Sequence, residues 1–390
     1  MFSRKMRKGC TVFLALLFLI IFSFAMLTLC SAIGYREIFS VINNYQSISS
    51  THQVEIGTDA EGYTTIKNIT NDEALKVMQV TDMHICCSIA TLDKDKMAFD
   101  AVYTAVEKNQ PDLIVVTGDL IYPSLLVSSF NNELQAEAVG QFFEQIGIPW
   151  TLIYGNHDAS ATFTTASKTE LSTYFSNLDN CLFQVGDENI TGEGNYIIKA
   201  LNNDGTLNKV LVFMDSNTYT GQGINQYDRI HDDQIQWYSD TLNSIASSED
   251  KNVDEIYSLL FFHIPLTAYQ TAGDLYMQGS DQVTKYFGEY QESINSSYIP
   301  EDFFSTITSL GSTRALFCGH DHLNNFCIKY QNVLLTYGMS IDYTAYIGIQ
   351  YRTDQRGVTM IWLNENEDIS VAQAPQDNNF IAETTGYNMD

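Results

Sequence analysis

From Leu75 onward the chain repeats one pattern: a short apolar run of four to six residues, rich in Val, Ile and Leu, followed at once by a polar cluster. The instances are LKVMQV before TDMH, DLIVV before TGDLIY, WTLIY before GNHD, KVLVFM before DSN, YSLLFF before HIP, RALF before CGHDH and NVLLTY before GMS. Runs of this length and composition predict strands buried on both faces. Helical segments intervene, at 93–109 with Met97, Val102 and Val106 on one face, and at 133–147. Strands alternating with helices predict an α/β fold, whose ligands gather beyond the carboxyl ends of the strands. The polar clusters fall there.

The N-terminus follows a different rule. Arg4, Lys5, Arg7 and Lys8 precede residues 11–33, which carry no charge. At ~1.5 Å per residue this run covers roughly 30 Å of hydrocarbon, and it exceeds the about 7–15 apolar residues of a cleaved signal peptide. The basic flank directs the N-terminus to the cytosol. The expectation is a cytoplasmic flank over 1–10 and a retained signal-anchor transmembrane helix over 11–33. A stalk over 34–73, a folded domain over 74–365 and a polar tail over 366–390 follow. "CSA" before Ile33 keeps cleavage and secretion open as the alternative. Sequons at Asn68, Asn189 and Asn295 agree with a glycosylated lumenal or extracellular body. Beyond the apolar segment the cysteines are Cys86, Cys87, Cys181, Cys318 and Cys327, whose spacing forms no disulfide framework. The 47 acidic and 20 basic residues give a formal charge of −27. No basic stretch beyond the N-terminus could track a phosphate backbone, so a nucleic-acid partner is not expected.

The polar clusters supply, in chain order, Asp82 and His84; Asp119; Asn156, His157 and Asp158; His263; and His320 with His322. Each has a bland explanation when taken alone. Gly118-Asp119 is an ordinary turn, and a lone His263 is usually a satisfied core histidine. Those explanations do not account for five of the seven histidines standing at successive strand ends. A pair of divalent metal ions does. Two such ions about 3.5–4 Å apart need one bridging carboxylate and several nitrogen or oxygen ligands each. Imidazole mixed with carboxylate suits iron, zinc or manganese rather than magnesium or calcium. Such a pair lowers the pKa of bound water toward neutrality and supplies hydroxide for in-line attack on phosphorus.

The ordered set DMH, GDLIY, GNHD, FFHIP and GHDH resembles the calcineurin-like metallophosphoesterase superfamily, from about Leu75 to Leu363, and within it the purple-acid-phosphatase-like branch. DSNTY with YDRIHDDQIQWY, QESI, YGMSIDYTAYIG and RGVTMIWL extend the likeness. The resemblance implies a four-layer α/β/β/α sandwich, here preceded by the N-terminal helix, with a binuclear centre at one edge. It implies that Asp82, His84 and His322 hold the first metal, that Asp119 bridges, and that Asn156, His263 and His320 hold the second. It makes His157 the general acid for the leaving oxygen. Asp158 either orients His157, stabilises its protonated form, or serves as a turn residue. In true purple acid phosphatases a tyrosine replaces the first histidine as ligand; this chain carries both His84 and Tyr122, and His84 is taken as the ligand of a divalent, colourless centre.

The activity so implied is hydrolysis of phosphate monoesters on the extracytosolic side of a membrane, with a phosphate ester as substrate partner. The alternative is a phosphodiesterase acting on nucleotide or lipid head-group esters; a catalytically inactive surface receptor of the same fold ranks third. Substrate choice falls to the loops at 120–132, 159–180 and 266–300.

Overall fold

The computed structural model describes residues 4–49, 53–70, 74–124, 131–159, 164–221, 226–299, 302–365, 369–382 and 387–388. The chain begins with one long helix, α1 (Arg4–Ile42), followed by a hairpin of β1 (Val54–Thr58) and β2 (Thr64–Asn68). Then β3 (Leu75–Val80), α2 (Leu92–Asn109), β4 (Leu113–Thr117), α3 (Asn132–Ile146) and β5 (Trp150–Ile153) alternate. After α4 (Lys168–Ser176) come β6 (Tyr196–Leu201), β7 (Leu207–Phe213), α5 (Asp232–Ser248) and β8 (Ser258–Phe261). The series continues with α6 (Thr267–Met277), β9 (Val283–Phe287), α7 (Phe303–Leu310) and β10 (Thr313–Cys318). It closes with β11 (Cys327–Tyr330), β12 (Val333–Tyr337), β13 (Gly357–Leu363), β14 (Ile369–Pro375) and β15 (Tyr387–Asn388).

Two sheets result. One has the order β15-β14-β13-β3-β4-β5, with β3, β4 and β5 parallel; the other has β1-β2-β6-β7-β8-β10-β12-β11-β9, with β7, β8, β10 and β12 parallel. A single apolar core joins them. Helix α2 packs on the six-stranded sheet at β13, α1 packs in turn on α2 and α3, and α6 and α7 pack on the other sheet. This is the expected α/β/β/α sandwich.

The apolar runs became strands because both their faces are covered. All residues of β4, β5, β8 and β12 are buried. Each buried Val, Leu or Ile contributes about 1.5–3 kcal/mol relative to exposure. The helices end where their chemistry stops them. Asn131 caps α3 by accepting from Leu134 N at 3.0 Å, and Gly147, at φ 81°, closes its other end.

The expected stalk and tail are largely structured. Residues 54–68 pair as β1 and β2 on the edge of the large sheet, and β14 and β15 extend the small one. Their polar composition reads as linker because β1 and β15 are edge strands, which need only one apolar face, and β2 and β14 are only partly buried beside them. Asn68 is buried, its Oδ1 accepting from Thr70 N at 3.0 Å, whereas Asn189 is exposed. Cys86, Cys87, Cys181, Cys318 and Cys327 are buried free thiols.

Helix α1 holds an apolar stretch long enough to cross a membrane. It also runs on past residue 33 and docks. Ser31, Ile38 and Ile42 are buried, and Tyr35 donates to Glu137 Oε2 at 2.7 Å. Beyond the helix, Tyr45 donates to Asp100 Oδ1 at 2.6 Å and Ile48 N to Ile146 O at 2.9 Å.

Candidate metal centre

Every site residue expected from the sequence lies just beyond the carboxyl end of a strand. Asp82 and His84 follow β3, Asp119 follows β4, Asn156 and His157 follow β5, His263 follows β8, and His320 and His322 follow β10. The sheets bring them together as three candidate metal-binding groups: Asp82, His84 and His322; His84, Asp119 and His157; Asp119, His263 and His320.

The loops that carry them are strained. Asp82, His84, Asp119 and His320 all adopt positive φ, at 56°, 49°, 49° and 80°. A side chain in this left-handed region costs of order 1–3 kcal/mol, and surrounding contacts must hold it there. Those contacts are short. Asp82 N donates to Gly118 O at 3.1 Å and His84 N to Asp119 O at 3.0 Å, so the two ligand loops lie side by side. His320 N donates to Asp82 Oδ2 at 3.2 Å, and His157 N to Asp119 Oδ1 at 2.8 Å. The glycine of GNHD has a steric reason: a Cβ on Gly155 would run into the Asp119 carboxylate.

Asp119 stands at the centre. Its Oδ2 lies 3.3 Å from His84 Nε2 and 3.2 Å from His263 Nε2. His263 Nδ1 lies 2.8 Å from Thr117 O, and a carbonyl can only accept, so the ring proton is on Nδ1 and Nε2 is free to ligate. Asn156 Oδ1 is 3.2 Å from the same Nε2, while its Nδ2 donates to Tyr219 Oη at 2.8 Å. Among the described residues, both ring nitrogens of His84 are buried without a directed hydrogen-bond partner. An imidazole so placed costs free energy unless a cation meets it. The donor set therefore fits metal ions.

The electrostatics agree. Burial disfavours charge on His84 and His263, but the Asp119 carboxylate outweighs it and raises them to about 9 and about 10. Asp119, despite burial, is held well below the usual carboxylate range by His263 and His157.

Two features were not legible in the motifs. The first is Asp342, beyond β12, whose Oδ2 lies 2.9 Å from His322 Nδ1 and whose Oδ1 is 4.0 Å from His84 Nδ1. It stands in YGMSIDYTAYIG, a segment the resemblance included without assigning it a role. Buried Arg356 braces this corner, donating through Nη1 to Asp342 O at 3.0 Å and through Nη2 to His322 O at 2.5 Å. The second is an aromatic rim: Tyr346 stacks on His322 with centroids 4.6 Å apart, and Tyr227 meets His320 edge-on at 4.4 Å. Tyr122 lies edge-on to both His84 and His157.

Asp158 has a different task from orienting His157. Its carboxylate accepts from Asp119 N at 3.0 Å, Ile121 N at 3.0 Å and Gly155 N at 2.7 Å, tying the bridging loop to the GNHD loop. A cavity of about 780 Å³ at the amino ends of β7, β8 and β12 lies at the other end of the molecule from these residues.

Residues 75–324 match the calcineurin-like phosphoesterase family. The chain belongs to that family. Two Arabidopsis thaliana relatives place it near the purple acid phosphatases. It is 31% identical to probable inactive purple acid phosphatase 28 over 71% of this chain and 72% of that one. It is 30% identical to probable inactive purple acid phosphatase 29 over 70% and 72%. Phosphatase DCR2 of Saccharomyces cerevisiae is 27% identical over 67% of this chain and 46% of its own length. Among solved structures, a dimetal phosphatase from Danio rerio covers 81% of this calcineurin-like phosphoesterase and 100% of itself, at TM-score 0.51 and 12% identity, a likeness of fold.

Proposed function

We propose that this calcineurin-like phosphoesterase is an active, metal-dependent hydrolase of phosphate monoesters, anchored by α1 with its catalytic domain on the extracytosolic side. The observation that carries the reading is the position of Asp119, whose single Oδ2 faces His84 on one side and His263 on the other. Two Arabidopsis relatives are described as inactive. This chain keeps every ligand type, and its ligands converge, which favours activity here.

Asp82, His84 and His322 would hold one ion, Asn156, His263 and His320 the other, and Asp119 would serve both. Iron, zinc or manganese suits this mixture of imidazole, amide and carboxylate. When bound, the pair supplies hydroxide at neutral pH and offsets phosphoryl charge. The chain's own residues do the rest. Thr117 O and Asp342 fix the tautomers of His263 and His322. His157 is the most exposed of the five site histidines, in keeping with a group that faces substrate. Burial pushes its imidazolium down to about 4 with Asp119 opposing, so it gains its proton as the phosphate dianion arrives beside it, then donates it to the leaving oxygen.

The test is metal analysis of the purified protein together with a phosphate-release panel of monoesters and diesters. About two metal equivalents and preference for monoesters are expected. A metal-replete protein with no turnover on any ester would sink the enzymatic reading, and diester preference would select the alternative.

A further inference from the structure

Helix α1 enters the domain at the end that carries the metal centre. Gly34 packs so tightly on the loop after His84 that a Cβ there would stand 2.5 Å from Ser88 C and 2.6 Å from Cys87 O. From Gly34 the chain descends alongside α2 and α3. Tyr35 meets Glu137 near the start of α3, Tyr45 meets Asp100 in mid-α2, and Ile48 meets Ile146 at the last residue of α3. In each strand–helix–strand unit the helix returns from the carboxyl end of one strand to the amino end of the next. The start of α3 is therefore the metal end, and its last residue the opposite end.

The exposed part of α1, residues 11–26, therefore projects from the same end as the site. The helix is continuous, Arg4 to Ile42, with no break between the apolar stretch and the docked turns. Partial burial begins at Leu27 and Ser31 is buried, so no spacer separates bilayer from domain. An apolar helix of about 20 residues fills the hydrocarbon core, which leaves the membrane surface within about one helical turn of the Cys87–Ile89 loop.

The rim at this end exposes apolar side chains among polar ones such as Gln291, Ser293 and Asn295. Ile89 beside Gly34 is 49% exposed, Ile347 next to the His322-stacked Tyr346 is fully exposed, and Tyr298 is 76% exposed. Tyr298 follows Ser297, which donates to Tyr227 O at 3.2 Å beside His320. Aromatic and aliphatic side chains in this setting partition into the interfacial layer of a bilayer.

We propose that the metal centre opens onto the bilayer that holds α1, and that its substrate is a phosphate monoester borne by a lipid in that same leaflet. This rests on α1 being a membrane anchor. The reaction balances as hydrolysis: water oxygen bonds to phosphorus, the bond between phosphorus and the lipid oxygen breaks, and that oxygen takes a proton. Phosphatidate and water give diacylglycerol and inorganic phosphate. Bulky soluble phosphoproteins are excluded by the membrane over the mouth.

The test uses the full, metal-loaded chain reconstituted in phosphatidylcholine vesicles. Carbonate extraction first checks the anchor. Hydrolysis of phosphatidate in the same vesicles is then compared with soluble glycerol phosphate, which has the same scissile bond. At least tenfold preference for phosphatidate is expected, on the order of 1.4 kcal/mol. A ten-residue Gly/Ser insertion between Cys30 and Ser31 should remove that preference and leave glycerol phosphate turnover unchanged. A benzophenone amino acid in place of Ile347 should photocrosslink to phospholipid, and one in place of exposed Asn332, at the opposite end, should not. Release by carbonate would overturn the anchor and this proposal with it. Retention in the membrane with equal rates on both esters and no adduct at 347 would overturn the proposal alone.

Discussion

His322 Nδ1 lies 2.9 Å from Asp342 Oδ2, and the two side chains form the buried pair that aims the imidazole at the metal site. Burial opposes charge on Asp342, yet the His322 hydrogen bond and nearby His84 hold it well below the usual carboxylate range. An ionised carboxylate accepts, so the ring proton sits on Nδ1, and Nε2 turns toward Asp82 Oδ1, 3.5 Å away. Asp342→Asn presents an amide that no longer enforces this tautomer. Metal affinity should fall by about 10–100-fold while the fold survives. Metal titration with circular dichroism as control checks it; unchanged affinity would remove Asp342 from the centre.

Asp119→Asn is the sharper lesion, since one carboxylate faces both histidine groups. An amide cannot bridge two cations. Metal content and turnover should both fall by ~100-fold or more. Full occupancy of two ions at a near-normal rate would contradict the bridging role.

His157 and His320 should separate by leaving group. His157→Ala should keep its metal, lose about 10²–10⁴-fold on alkyl phosphates and lose far less on an activated aryl phosphate, whose phenolate needs no proton. His320→Ala should lose metal and fail on both. Equal losses on the two esters for His157→Ala would make it a phosphate clamp rather than an acid.

Metal uptake should depend on pH in a definite direction. In the metal-free protein burial lowers His84 and His263, but Asp119 raises them to about 9 and about 10. At pH 7, below both values, each carries a proton that metal must displace. Binding should therefore release about two protons at pH 7, and affinity should climb with pH until both imidazoles are neutral, near pH 9–10. Calorimetry in buffers of different ionisation enthalpy measures the count. Zero protons released would mean that His84 and His263 are already neutral at pH 7 in the metal-free protein.

Gly155→Ala tests the packing of the two loops. Its Cβ would collide with the Asp119 carboxylate, which also accepts from His157 N at 2.8 Å. The variant should bind metal at least about tenfold more weakly, because ligand geometry is held by that close approach. Normal metal affinity would show that the loop can yield.

Much of this molecule is written locally. A run such as LKVMQV carries its own burial preference, and β3 occupies those six residues, Leu75–Val80. The candidate ligands, Asp82 through His322, could be singled out because coordination chemistry selects few side chains and the α/β architecture places such residues at strand ends. Strands β1, β2, β14 and β15 were not legible: β1 and β15 are sheet edges, and β2 and β14, one place in, mix buried with partly buried residues, so their composition is as mixed as a loop's. Other features were decided only in three dimensions. Asp158 ties Asp119 to Gly155 rather than turning His157, Asp342 reaches back 20 residues to His322, and Gly34 seats α1 on the loop of Cys87. Each depends on which loops the sheets bring within hydrogen-bond or van der Waals reach. Such contacts join residues far apart in the chain, and no local periodicity or propensity encodes them.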